Sequence, residues 1–458
     1  VPLVLLIPVE VRLSGCGRSL VLAACAVLAA SVPVPAFAED EACATAGQDQ
    51  RYLLVFPQGT APDAANRQVT AACGATTVFY PQISVGVATA ADPGFAGRFG
   101  ADRVFAARPG HRSARAKLPE SDPGDVSSAD RTGEQWDMAA IGAPGAGSPD
   151  VVVGVLDSGI EADHPELSRA IDRDDSAGCL TGKPDQDENA WLPTTSAHGT
   201  HVAGIVAAAD DGRGVTGVAP GVRVASVKVI DDSGYVAPEA AVCGLMWAAQ
   251  RHMAVANSSF VVDPWGLACS HGPGQDVVRE AISRAVEYST TAGTLDVAAA
   301  SNESVNLTPS SHASASGCEA LPAGLRDVVT VSAVGQDDVK AGYSSYGLGV
   351  VDLAAPGGSG EDCVLSTVPG GYGRMCGTSM AAPHVAGVAA AVASEHPGLG
   401  PEGLRDALNA GTRAIPCPAD YDPNGDGQQD GFCAGYTGYN GFYGHGLVDL
   451  PGALAAAG

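Results

Sequence analysis

Val151-Val152-Val153-Gly154-Val155-Leu156-Asp157-Ser158-Gly159-Ile160 opens on six apolar or small residues and closes on an acid followed by a glycine turn. A run so short, continuous and rich in Val reads as a strand buried on both faces rather than as one stripe of a helix. Runs of the same kind follow at 222–230, 254–260, 295–300 and 328–334, with helix-compatible segments between them. In 276–292, for example, Val277, Val278, Ala281, Ile282, Ala285 and Val286 share one helical face, and Gly293 supplies a stop. The alternation predicts an α/β domain, doubly wound, with a mostly parallel sheet and helices on both faces. In such sheets sites gather beyond the carboxyl ends of the strands, where Asp157 falls. Taken alone, that acid is either an orienting group in a site or a turn cap.

Two other stretches decide between these readings. His198-Gly199-Thr200-His201-Val202-Ala203-Gly204 reads as the start of a helix. It gives His198 the fixed aim a base needs, while His201, one turn on, points elsewhere; a packed histidine pair is the alternative. Gly377-Thr378-Ser379-Met380-Ala381-Ala382-Pro383-His384-Val385-Ala386-Gly387 puts a serine at the start of a small-residue helix. There the unpaired backbone N–H groups and the helix dipole favour a developing oxyanion. A hydroxyl is a poor nucleophile until a base takes its proton. Ser379 therefore needs His198, and His198 needs Asp157 to fix its tautomer and stabilise the imidazolium. His384, His252, His271, His312, His396 and His445 have no such constellation, and none is assigned a catalytic role.

With acid, base and nucleophile in this order, the chain resembles the subtilisin-like serine proteases over about residues 130–456. The resemblance implies a secreted serine endopeptidase acting on polypeptide substrates through an acyl-enzyme on Ser379. It makes Asn302, in Ala299-Ala300-Ser301-Asn302, the side-chain donor of the oxyanion hole, with Ser301 standing where the family usually has glycine. It also points to Ser233-Gly234 and Ser259-Phe260 as edges that pair with substrate as an added strand. After Ser259 the family commonly has a Gly-Gly pair; here Phe260-Val261-Val262-Asp263-Pro264-Trp265 follows, which resembles a secreted bacterial subgroup and gives no basis for carrying over the pocket preference of better-known subtilisins. Two other readings are a dedicated processing protease for one partner and an inactive peptide-binding pseudoenzyme. The intact triad and Asn302 argue against the latter.

The N-terminal third divides further. Arg12 and Arg18, the apolar run 20–34 and Ala36-Phe37-Ala38 read as a signal peptide over 1–38, with lipidation at Cys16 as the rival reading. Residues 51–107 read as a small α+β module without catalytic groups, with apolar runs at 52–56, 77–80 and 85–88 and a helix-compatible stretch at 63–72. The Pro-, Gly-, Ser-, Asp- and Arg-rich stretch 107–132 reads as an exposed linker. Family resemblance makes 39–120 an inhibitory propeptide and 121–458 the catalytic domain; a permanent accessory domain is the alternative.

A formal net charge of -26 excludes nucleic acid and anionic membrane surfaces as partners, since both call for basic patches. No segment beyond the signal has the roughly 20 uninterrupted apolar residues a membrane span requires. The mature chain is therefore expected to be soluble, monomeric and extracellular. Twelve cysteines divide evenly between the segments, which favours disulfides in an oxidising compartment. Short loops favour Cys363–Cys376 and Cys417–Cys433, and family resemblance favours Cys179–Cys243 and Cys269–Cys318.

No organic cofactor is expected. Structural calcium is, because Asp422, Asn424, Asp426 and Asp430 fall at positions 1, 3, 5 and 9 of a calcium-loop spacing. Gly427 stands at position 6 and the Gln428 carbonyl at position 7 of the same spacing. Cys433 replaces the usual bidentate acid at position 12, so affinity is expected to be modest, and a plain acidic turn is the alternative. By family resemblance, Asp211 belongs to a separate calcium site.

Overall fold

A computed structural model describes residues 43–44, 47–107, 124–125, 129–264, 266–269, 272–309 and 318–458. The expected signal peptide, its rival lipidation site Cys16, residues 108–123 and 126–128 of the linker and Trp265 lie outside them. Ala44–Gly458 forms one unit.

Within it, β1 (Gln50–Val55), β2 (Ala75–Tyr80), β3 (Val85–Ala90) and β4 (Val104–Ala106) make an antiparallel sheet in the order β2-β3-β1-β4. Two helices, α1 (Pro62–Ala71) and α2 (Phe95–Phe99), cover one face. Side chains alternate across a strand, and β1 uses both faces. Tyr52 and Leu54 pack with Ala65, Val69, Phe95 and Phe99 in the module's own core. Leu53 and Val55 face the other way, into a cluster shared with the main domain.

The main sheet has seven strands: β5 (Val152–Asp157), β6 (Ala177–Gly178), β7 (Arg223–Lys228), β8 (Val255–Ser258), β9 (Leu295–Ala299), β10 (Val328–Val334) and β11 (Leu353–Pro356). Their order is β11-β10-β9-β8-β5-β7-β6, and every pairing among them is parallel. The five expected strands are present with ends shifted by at most two residues. The remaining two escaped the sequence reading because one is a two-residue edge and the other, Leu-Ala-Ala-Pro, ends on a residue that usually signals a turn.

Helices α3 (His198–Ala207) and α6 (Thr378–Glu395) cover one face, in a cluster with Val153 and Val155. Helices α4 (Pro238–Gln250) and α5 (Pro273–Ala292) cover the other, with Val152 and Leu156. Helix α5 ends as expected on Gly293, at φ +103°. From β5 the chain builds outward in both directions, through β7 on one side and β8 on the other. This switch point opens a crevice at the carboxyl end of β5.

The module's second face, with Leu53, Val55, Tyr80, Ile83, Val85, Val87 and Phe105, packs in one cluster with Val242 and Met246 of α4 and Val277, Val278 and Ala281 of α5. Polar contacts fix the register. Tyr80 donates to the Gly182 carbonyl at 2.9 Å, Arg51 to the Leu180 carbonyl at 2.7 Å, and Arg284 to the Phe56 and Ile83 carbonyls at 2.9 and 3.1 Å.

All four expected disulfides are formed: Cys179–Cys243, Cys269–Cys318, Cys363–Cys376 and Cys417–Cys433. Cys43 and Cys73 are disulfide-bonded as well. Among the described residues, no helix is long and apolar enough to cross a membrane.

Candidate active site

Asp157 ends β5 at the switch point, fully buried. A carboxylate there needs partners, and it has them: the Ser158 backbone N–H donates to Oδ1 at 2.7 Å, and His198 Nδ1 lies 2.8 and 3.0 Å from the two oxygens. An ionised carboxylate only accepts, so Nδ1 carries the proton and Nε2 is the atom that can take another. His198 is one quarter exposed and Asp157 not at all, so the imidazole lies at the mouth of the crevice and the carboxylate inside.

The start of α3 is held against β5 by close packing. Gly199 donates its N–H to the Ser158 hydroxyl at 3.1 Å, and a Cβ on it would come within 2.4 Å of the Gly159 carbonyl oxygen. Only glycine fits there. His201, one turn on, turns away from the site, with Nε2 3.1 Å from the Val364 carbonyl. Burial first, then the neighbouring His198, pushes its pKa down to about 3, so it is a neutral packing residue.

Ser379 is the second residue of α6, where the helix leaves its first N–H groups without intrahelical partners. Its hydroxyl donates to the Ser259 carbonyl at 2.9 Å, and the Ser259 hydroxyl donates to the Ser379 carbonyl at 2.8 Å. Asn257 supports this seat by donating Nδ2 to the Ser259 hydroxyl at 2.9 Å. Asn302 is tied to the same helix start: its Oδ1 accepts from the Thr378 N–H at 2.9 Å and from the Thr378 hydroxyl at 2.8 Å. With the carbonyl end of the amide occupied twice, Nδ2 is the end that remains to donate. The four residues expected to carry the chemistry are thus gathered at one end of the sheet.

The expected substrate edges are more mixed. Ser233 and Gly234 lie in a turn closed by the Ile230–Val236 bridge, with Gly234 at φ +72°. Asp231 organises it, accepting the Ser233 N–H on Oδ1 at 2.8 Å and the Gly234 N–H on its carbonyl at 2.7 Å. Both donors are thus engaged within the turn. The Ser259 carbonyl holds Ser379, and the Phe260 side chain, 5% exposed, belongs to the apolar cluster under α4 and α5. The seat provided by Ser259 and Asn257 and the anchor provided by Thr378 were not read from the sequence. Thr378 stands inside the serine motif, but nothing in its spacing signals the contact.

In the loop expected to take calcium, Asp422 accepts the backbone N–H groups of Gly425 and Asp426 on Oδ1 and of Gly427 on Oδ2, at 2.8, 3.1 and 2.8 Å. Asn424 donates to Asp430 at 3.0 Å, and Asp426 accepts the Gln428 N–H at 2.8 Å. The carboxylates of Asp422, Asp426 and Asp430 do not converge on one point. Backbone donors already satisfy much of the loop's charge.

Residues 148–446 match the family model described as the subtilase family. The chain is 33% identical over 316 residues to subtilisin NAT of Bacillus subtilis subsp. natto, covering 69% of this chain and 68% of that protein. It is 36% identical over 269 residues to M-protease of Shouchella clausii (strain KSM-K16), covering 57% and 60%. Among solved structures it is similar to the epidermin leader peptide processing serine protease of Staphylococcus aureus, with a TM-score of 0.66, 20% identity and coverage of 90% of this chain and 99% of that one. A lanthipeptide protease aligns with a TM-score of 0.53 and 25% identity over 68% of this chain and 88% of its own.

Proposed function

Because this chain belongs to the subtilase family of serine peptidases, hydrolases of peptide bonds, we propose that it is an exported endopeptidase that forms an acyl-enzyme on Ser379. The observation that carries the reading is the 2.8 Å contact between His198 Nδ1 and the buried Asp157 carboxylate, at the carboxyl end of the strand beside Ser379. On substrate binding, rotation about the Ser379 Cα–Cβ bond moves its hydroxyl from the Ser259 carbonyl to His198. Ser379 Oγ attacks the scissile carbonyl carbon while Nε2 takes the hydroxyl proton, and Asp157 stabilises the imidazolium. The tetrahedral oxygen takes its negative charge beside Asn302 Nδ2 and the Ser379 backbone N–H. Collapse breaks the C–N bond as His198 returns the proton to the leaving amine. Water, deprotonated by the same nitrogen, then cleaves the ester and restores the hydroxyl.

The N-terminal module fits the part of an inhibitory propeptide. Ala107, where it ends, lines the same cavity of about 520 Å³ as Asp231 and Tyr235, which flank the expected Ser233-Gly234 edge, so the linker leaves the module near that edge. The disulfides are consistent with export to an oxidising compartment. Substrate backbone pairs with the Ser233-Gly234 carbonyls on one side and with the Ser259-Phe260 segment on the other. Calcium at Asp422, Asn424, Asp426, the Gln428 carbonyl and Asp430 is a structural proposal that rests on the spacing. It requires a cation to draw Asp430 away from Asn424, and an identical calcium titration of wild type and Asp426→Ala by calorimetry removes it. Dedicated processing of one partner is a second reading, favoured by the likeness to a lanthipeptide protease.

The test is cleavage of a peptide library by the purified secreted protein, read by mass spectrometry beside Ser379→Ala. Cleavage by wild type alone is expected, and equal cleavage by both rejects the proposal. A broad set of products favours a general endopeptidase, and a single cleaved sequence favours the processing reading.

A further inference from the structure

Asn302 follows a residue in an unusual state. Ser301 has φ +88°, a left-handed conformation that glycine enters freely and a residue with a Cβ does not. It is buried, so solvent does not relax it. Ser345, fully buried and 44 positions away in sequence, grips it at two points. The Ser301 hydroxyl donates to the Ser345 hydroxyl at 2.7 Å, and the Ser345 backbone N–H donates to the Ser301 carbonyl at 3.0 Å. The Ser345 oxygen also accepts the Val305 N–H at 3.2 Å, which ties down the chain just past Asn302.

The grip itself is rigid. Lys340, 1% exposed, donates from Nζ to the Ala341 and Ser344 carbonyls at 2.9 and 2.7 Å, with the rings of Tyr346, Tyr421 and Phe442 around it at 5.2, 4.9 and 5.4 Å. Ser344 in turn accepts the Ala333 N–H at the end of β10 and donates to the Ser345 carbonyl, at 3.0 and 3.1 Å. A strained backbone persists only where its surroundings over-determine it, and such sites cluster where geometry matters to function.

We propose that Ser345 is a positioning residue for the oxyanion hole. Its hydroxyl and amide hold Ser301 in the left-handed conformation and thereby set the Asn302 amide against Thr378 and Ser379. The inference rests on the proposed role of Asn302, so the test carries Asn302→Ala as a control. Ser345→Ala releases the Ser301 hydroxyl and the Val305 N–H, and leaves the backbone N–H of residue 345 as its one remaining hold on the strained peptide. A misplacement of about 1 Å at a reacting centre costs on the order of 100-fold, so kcat is expected to fall by about 10- to 100-fold with KM within about twofold of wild type. Adding Ser301→Gly removes the reason the peptide needs holding, and the double variant is expected to recover kcat to within about threefold of wild type.

Steady-state kinetics on one peptide substrate, with active sites titrated so that only folded enzyme is counted, decides it. Loss in Ser345→Ala and recovery in the double variant support the proposal. An unchanged kcat in Ser345→Ala alongside a lowered kcat in Asn302→Ala overturns it, and so does a loss that Ser301→Gly fails to recover. An unchanged kcat in Asn302→Ala rejects the role of Asn302 itself, and this inference with it. Should Ser345→Ala not fold, Ser301→Ala and Ser301→Gly pose the question at one position. Ser301→Ala keeps the strain and loses the hydroxyl tie, so it is expected to be at least about 10-fold slower than Ser301→Gly; equal rates overturn the proposal.

Discussion

His198 meets Asp157 at 2.8 Å and His384 meets Asp137 at 3.1 Å, yet the two pairs are built for different ends. In the first, the carboxylate is buried, the imidazole is a quarter exposed, and the acid engages Nδ1, so that in the proposed reaction Nε2 is the nitrogen that takes the proton. In the second, both side chains are wholly buried. Its two ring nitrogens are occupied, Nε2 by Asp137 and Nδ1 by the Met380 carbonyl at 2.8 Å. His384 lies only five residues beyond Ser379 on α6, nearer in sequence than His198 is. A histidine beside an acid is therefore not a sufficient sign of a base. What distinguishes a base is a second nitrogen facing the place where a proton must move.

The comparison is most exposed to substitution of the histidines. His198→Ala is expected to lower kcat by about a million-fold, the loss known for subtilisin when a central triad member is removed. His384→Ala is expected to retain kcat per folded active site but to lose about 3–5 kcal/mol of stability, because Asp137 is left buried without its partner. Kinetics with active-site titration, beside denaturant melts, separates the two; a catalytic loss at His384 breaks the comparison.

The acids come next. Asp157→Asn is expected to lower kcat by about 10,000-fold by presenting the wrong tautomer. Asp137→Asn is expected to change melting and leave turnover alone. Asn302→Ala follows, with kcat lowered by about 100- to 1,000-fold and little change in KM, since the amide acts on the transition state. An unchanged turnover number removes Asn302 from the oxyanion hole.

The smallest effect sharpens the contrast within α3. His201 is neutral when folded, with its pKa pushed down to about 3 by burial, whereas in the unfolded chain a histidine takes up a proton below about pH 6.5. The unfolded state then binds more protons, so stability falls as pH drops from about 6.5 towards 3, by up to about 1.4 kcal/mol per pH unit. Melting curves across that range are expected to be flatter for His201→Gln than for wild type. Equal slopes show that His201 is not the group responsible.

Much of this was legible in the sequence because both parallel strands and catalytic motifs are local signals. A Val-rich run declares a buried strand, and an acid, a histidine at a helix start and a serine at another helix start mark a candidate site by position. The contacts that finish the site are not local. Ser259 seats Ser379 across 120 positions and Ser345 holds Ser301 across 44, with no periodicity to mark either. Phe260, expected at a substrate edge, has its side chain in the core, where a bulky residue in an apolar run most simply belongs. At Ser233 and Gly234 the Asp-Asp-Ser-Gly stretch carried a readable signal, since aspartate two residues ahead commonly caps such a turn.

Intact-mass and peptide mapping after reaction with a fluorophosphonate, which esterifies only a serine activated by its base, tests the central claim most directly. Wild-type protein cut in its linker is predicted to carry one adduct, on Ser379, and His198→Ala none in the same time. An adduct on another residue, or equal labelling of Ser379 in both proteins, contradicts the account.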